Sequence, residues 1–149
     1  MRMSSICIII TCNFALVGSA LSGDPPAFEP PARWEYTAPL LAPEKRERDR
    51  SRAQKDPTVV HFDGKWHVFM TVKLPGRSAI EYCAFEDWQD ADQSPRTILK
   101  ISDSDYYCAP QVFYFTPHKK WYLVYQMGTP GSKFMWVAYS TTSTINDPA

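Results

Sequence analysis

Between Asp56 and Ser140 the polar and apolar positions alternate with period two, in short runs broken by turn residues, which predicts half-buried β-strands rather than helices. Thr58 to Phe62, a turn at Asp63-Gly64 and Lys65 to Val72 read as a hairpin, because Asp-Gly readily takes the positive φ angles of a tight turn. A third strand, Ala79 to Phe85, follows the Pro75-Gly76 turn and completes a meander. The same order returns downstream. Ala109 to Phe115, a turn through Thr116 to Lys119, Lys120 to Tyr125, a turn at Thr129 to Gly131, and Phe134 to Ser140 form a second meander. Pro57-Thr58-Val59 aligns with Pro110-Gln111-Val112 at an offset of 53, and Lys65-Trp66 with Lys120-Trp121 at an offset of 55, the difference being a longer turn.

A repeat of about 50 residues, each holding three or four antiparallel strands, is the pattern of propeller blades. The expected fold is therefore all-β, with residues 54–149 forming two blades of a β-propeller. Propellers close with about four to eight blades, and the last residues, Ile145 to Ala149, align with the segment that begins at Phe85 after the third strand. An N-terminal part of a longer domain is expected on that pattern. The alternative is a self-contained β-sandwich, whose two sheet faces would both need cover from this short chain.

Upstream the pattern is different. Residues 23–53 carry Pro25, Pro26, Pro30, Pro31, Pro39 and Pro43, then the charge run Glu44 to Arg52, and read as an extended, solvated lead-in that Trp34 and Tyr36 can pin to the body. Residues 1–22 read as a secretory signal peptide: Met1-Arg2-Met3 is a small positive start, Ile6 to Ala20 an apolar stretch and Val17 to Ala20 a small-residue cleavage site. The stretch falls short of the about 20 apolar residues of a membrane span, and none follows it. The expectation is a secreted, extracellular protein with no membrane association.

Charge and composition narrow the partners. Sixteen Lys and Arg balance sixteen Asp and Glu, so there is no basic field for nucleic acid. Aromatic residues make up 14% of the chain, which serves either a β core or stacking platforms for sugar rings. Cys83 and Cys108, the cysteines outside the leader, can pair in an oxidising compartment or remain two buried thiols. His61, His67 and His118 form no metal-ligand constellation and read as surface or satisfied core residues.

The candidate chemistry centres on Asp56. It stands where an inner strand of a blade begins, facing the axis on which loops converge. Pro57 is expected to hold it in the extended region, and Lys55 can keep it ionised. Glu81 can face the same funnel but is expected at an exposed or interblade position. Gln111, the repeat counterpart of Thr58, can bond a sugar hydroxyl or a neighbouring blade.

KDPTVVHFDGKWHVF from Lys55, EDW at 86–88, APQVFYF at 109–115, KWYLVYQ at 120–126 and YSTTSTINDP at 139–148, in this order and spacing, resemble the secreted α-L-arabinofuranosidases of glycoside hydrolase family 62. The resemblance runs from about Trp34 to the end of the chain. It implies a five-bladed propeller related to family 43, of which these are the first two blades, and inverting removal of arabinofuranosyl branches from arabinoxylan or arabinan of plant cell walls. It assigns the general base to Asp56 and the arabinose pocket to Lys55. The general acid and the pKa-tuning Asp of the family sit on later blades, so this piece alone is expected to be inactive. Relatives can hold calcium on the propeller axis, with ligands partly from those blades; no cofactor is expected from this chain. Met127 departs from the family, where a tryptophan commonly follows Tyr-Gln as a platform for the xylan chain; methionine at this substrate-facing position lacks the aromatic face. The complete protein is expected to be a monomer. The alternatives are a non-catalytic carbohydrate-binding propeller and an inactive truncated product.

Overall fold

The computed structural model describes residues 33–129 and 133–146. The expected leader at 1–22, the lead-in as far as residue 32, the Pro130-Gly131 half of the turn before the last strand, and Asp147 lie outside the described residues. The chain divides into two units, residues 1–35 and 36–149, and the second carries the strands.

That unit holds β1 (Ala53–Phe62), β2 (Lys65–Leu74), β3 (Arg77–Phe85), β4 (Thr97–Ile98), β5 (Tyr107–Phe115), β6 (Lys120–Gly128) and β7 (Met135–Thr142). They form two antiparallel sheets, in the order β1-β2-β3-β4 and β5-β6-β7. Both predicted meanders are present. In the first turn Asp63 and Gly64 both take positive φ, 50° and 74°, as a two-residue hairpin loop of matching twist demands. The second hairpin turns through a short 3-10 helix at Thr116–His118 and reverses at Lys119, φ 51°. β4 escaped the sequence reading because two residues carry no periodicity.

β2 and β3 are buried on both faces, beyond the half-burial that period-two alternation predicts, because both of their faces are covered. Alternation along each strand divides their side chains between two environments. Trp66, Met70, Glu81, Cys83 and Phe85 look toward the connection and the lead-in, with Trp88 against the rings of Trp66 and Phe85. His67, Phe69, Thr71, Ile80 and Tyr82 look toward the second sheet. Phe69 there meets Trp121, Leu123 and Ile145 around an open apolar cavity of about 290 Å³, and Phe62 meets Trp121 edge to face at 5.1 Å. The opposite face of the second sheet carries a ladder of rings, Phe113 stacked on Tyr122 at 5.7 Å and Tyr122 tilted against Tyr139 at 5.6 Å, of which Phe113 and Tyr139 are exposed.

Three expectations need correction. The charge run is not a purely solvated lead-in: Leu41 packs on the core, Ala42 N–H donates to Asp92 Oδ1 (2.8 Å), Arg52 N–H donates to Lys73 O (2.8 Å), and Arg77 pairs with Asp49 (2.6 Å). Glu81 is not exposed but 0% accessible, where it accepts from Arg46, from Gln54 Nε2 (3.0 Å) and from Arg96 Nη1 (3.5 Å). A buried carboxylate demands counter-charge, and it draws part of the run inward. Tyr36 does not pin the lead-in, being 97% exposed. Cys83 and Cys108 resolve as two buried free thiols.

Candidate functional site

β1 and β5 are the first strands of their sheets, and each breaks register at the same repeat position. Between the pairs Lys55↔Thr71 and Thr58↔Phe69, β1 sets Asp56 and Pro57 against the single residue Met70. Between Cys108↔Gln126 and Gln111↔Val124, β5 sets Ala109 and Pro110 against Tyr125. These are matched β-bulges. Proline suits them, since the extra residue makes no ladder bond and a missing N–H costs nothing there.

The bulge also overturns the expected backbone of Asp56. Instead of the extended region that a following proline favours, Asp56 has φ 51° and Ala109 φ 53°. Two residues opposing one force a local reversal that the left-handed region supplies. Asp tolerates it better than most residues; Ala has no polar side chain to compensate and carries a strain of roughly 1–2 kcal/mol. A buried hydroxyl takes up the freed backbone: Ala109 N–H donates to Thr71 Oγ1 at 2.7 Å. Thr58 Oγ1 completes the seam by donating to Pro110 O at 2.6 Å.

The Asp56 side chain is 43% exposed, with Oδ2 3.7 Å from Lys55 Nζ and accepting from Thr71 Oγ1 at 3.3 Å. Tyr106 belongs to the same surroundings. Its phenol pKa is raised, first by the Cys108 thiol beside it, then by burial and by the Asp56 charge, so it stays a neutral hydroxyl; the Lys73 ammonium lies over its ring at 5.8 Å. A partly solvated carboxylate between a lysine and a fixed hydroxyl suits a group that must accept a proton.

The structure thus brings Lys55 and Asp56 together. Gln111 takes the register of Thr58 one sheet further on and is exposed, while Thr58 rather than Gln111 makes the bond between sheets. Met127 is half-buried opposite Tyr107, its sulfur accepting from Ser102 Oγ at 3.2 Å. Thr71 went unnoticed in the sequence; the one available signal was a hydroxyl on the same face as His67 in an otherwise apolar strand. Three other carboxylates on and between the strands of the first sheet have structural duties: Glu81 on its arginines, Asp92 on Arg96, and Asp87 capping the 3-10 helix at Trp88–Gln93. Among the described residues no three His, Cys, Asp or Glu side chains gather to hold a metal ion. The apolar cavity between the sheets is lined by other residues and does not include Asp56.

The family model described as glycosyl hydrolase family 62 matches residues 33–148. Over 118 residues the chain is 36% identical to alpha-L-arabinofuranosidase C of Cellvibrio japonicus (strain Ueda107), covering 79% of this chain and 17% of that protein. The fold is similar to the catalytic domain of the Coprinopsis cinerea GH62 alpha-L-arabinofuranosidase, with a TM-score of 0.65, 38% identity and coverage of 74% of this chain and 33% of that one. It is similar also to a GH62 hydrolase crystallised with xylotriose, with a TM-score of 0.63, 40% identity and coverage of 74% and 32%. The chain therefore spans about a third of the length of these solved relatives.

Proposed function

This chain belongs to glycosyl hydrolase family 62, and on that premise we propose that it supplies the general base of a secreted, inverting α-L-arabinofuranosidase acting on arabinofuranosyl branches of plant cell-wall polysaccharides. The observation that carries the reading is the Asp56 carboxylate, aimed by its bulge and held by Thr71 beside Lys55. Inversion needs a charged carboxylate to deprotonate the attacking water, and a carboxylic acid about 6.5–9.5 Å away on the other face of the sugar. Lys55 places its ammonium 3.7 Å from Oδ2, beside the base, where its protons can be offered to sugar hydroxyls. The acid comes, on this reading, from the two thirds of the family's domain that this chain does not cover.

The xylotriose-bound relative supports a xylan backbone as the polymer. Met127, held by Ser102, offers a flexible thioether rather than an aromatic platform, which supports a weaker grip on that backbone. Secretion rests on the leader-like composition of residues 1–22.

The test is Asp56→Asn in the longest natural reading frame that contains this chain. The amide keeps the shape but takes no proton, so hydrolysis of an aryl arabinofuranoside is expected to fall by about 10²–10⁴-fold while arabinose affinity stays within about tenfold. Undiminished turnover removes Asp56 from the mechanism.

A further inference from the structure

The structure assigns to Thr71 the role of positioning residue for the Asp56 carboxylate, an inference that rests on the reading of Asp56 as base. Thr71 is 0% exposed, in the middle of β2, on the face that looks toward the second sheet. Its hydroxyl has one proton to give and lone pairs to receive. Ala109 N–H donates to Oγ1 at 2.7 Å, and a backbone amide can do nothing else, so the Thr71 proton is left for the remaining neighbour, Asp56 Oδ2 at 3.3 Å. The direction of both bonds follows from the donor inventory alone.

One side chain from β2 thus ties two bulges together. The second bulge has no counterpart of this device: the register position of Thr71 is taken on β6 by Gln126, whose Oε1 accepts from the Cys108 thiol at 3.5 Å, and the residue in the place of Asp56 is Ala109. The hydroxyl is present where there is a carboxylate to aim. Thr71 does not reach the sugar, being fully buried. It acts by limiting the rotation of a carboxylate that is otherwise open to solvent, so that the base keeps its approach to the attacking water. Misplacement of a reacting group by about 1 Å can cost on the order of 10²-fold in rate.

The experiment compares Thr71→Val, Thr71→Ser, Asp56→Asn and the double variant T71V/D56N in the full natural reading frame, with kcat and KM read separately on an aryl arabinofuranoside. T71V is expected to lower kcat by about 10–100-fold with KM within about threefold, and T71S to return kcat to within about threefold of the parent. T71V is expected to add nothing to the loss already caused by D56N. A parent-like kcat in T71V, a failure of T71S to restore it, or a further loss in the double variant each overturns the assignment. If T71V does not fold, Thr71→Ala against T71S decides by the same ratio. D56N with undiminished turnover removes the base reading and this inference with it, whereas D56N inactive beside a parent-like T71V removes this inference alone.

Discussion

His67 and Glu81 show how far a single polar residue inside this sheet is committed. His67 is buried between two partners: Phe62 O can only accept, so Nε2 carries the proton (3.2 Å) and Nδ1 accepts from the Tyr82 hydroxyl (2.9 Å). Burial is the main cause that holds the imidazole pKa below its ordinary 6.5, with the Lys65 and His61 charges adding to it and the Phe62 bond and Asp63 opposing. The unfolded chain therefore binds the proton first as the pH falls. Stability conferred by neutral His67 is complete above about pH 6.5 and is lost below it, toward the depressed folded value. Thermal midpoints should drop between about pH 7 and pH 5, and His67→Gln, which keeps a donor for Phe62 O, should make that slope shallower; an unchanged slope would exclude His67 as its source. The sequence allowed a satisfied core histidine here, but not its partners, because Tyr82 lies on the next strand, paired with Phe69, and only that register brings it diagonally across from His67.

At the level of elements, the lead-in, β1 and β3 meet on one carboxylate. Glu81 of β3 collects Arg46 from the charge run, Gln54 from β1 and Arg96 from just before β4. Removing it leaves Arg46 with Glu44 and Arg96 with Asp92, two partly exposed carboxylates, although the Arg96 side chain is nearly inaccessible. Glu81→Ala is expected to cost about 3–5 kcal/mol, measured as a shift of the urea midpoint, and a loss below about 1 kcal/mol would show that the lead-in is held by something else. The strands themselves were legible, since period-two alternation and the Asp-Gly and Pro-Gly turns declare them locally. The anchoring of the charge run was not, because Arg46 and Glu81 are joined by burial rather than by spacing. The bulges were half legible. Asp-Pro and Ala-Pro fell at matching repeat positions, yet the local preference of a pre-proline residue pointed to extended backbone, and only the pairing with β2 and β6 turned it left-handed.

For the molecule as a whole, the two sheets are unequal in how well they are covered. The first buries Phe69 and Tyr82 toward the second, whereas the second turns Phe113, Val137 and Tyr139 outward as a contiguous ladder of apolar side chains. Soluble chains rarely leave such a patch bare. Expressed at this length, the protein is expected to bind a hydrophobic dye and to self-associate, and a Phe113→Ser/Tyr139→Ser variant to do both less; a strictly monomeric, dye-silent parent would contradict this. The family resemblance was readable because its motifs lie on the strands and turns that build both sheets, while the position of the carboxylate required the seam between them. That seam carries a consequence for variation. A hydroxyl rooted in one sheet clasps the backbone of the other, so the aim of Asp56 is governed by the tilt between two bodies. Enlarging or trimming a ring at Phe62 or Trp121 would then be felt first in turnover and only later in melting, as when a lens drifts out of focus because its mount has shifted.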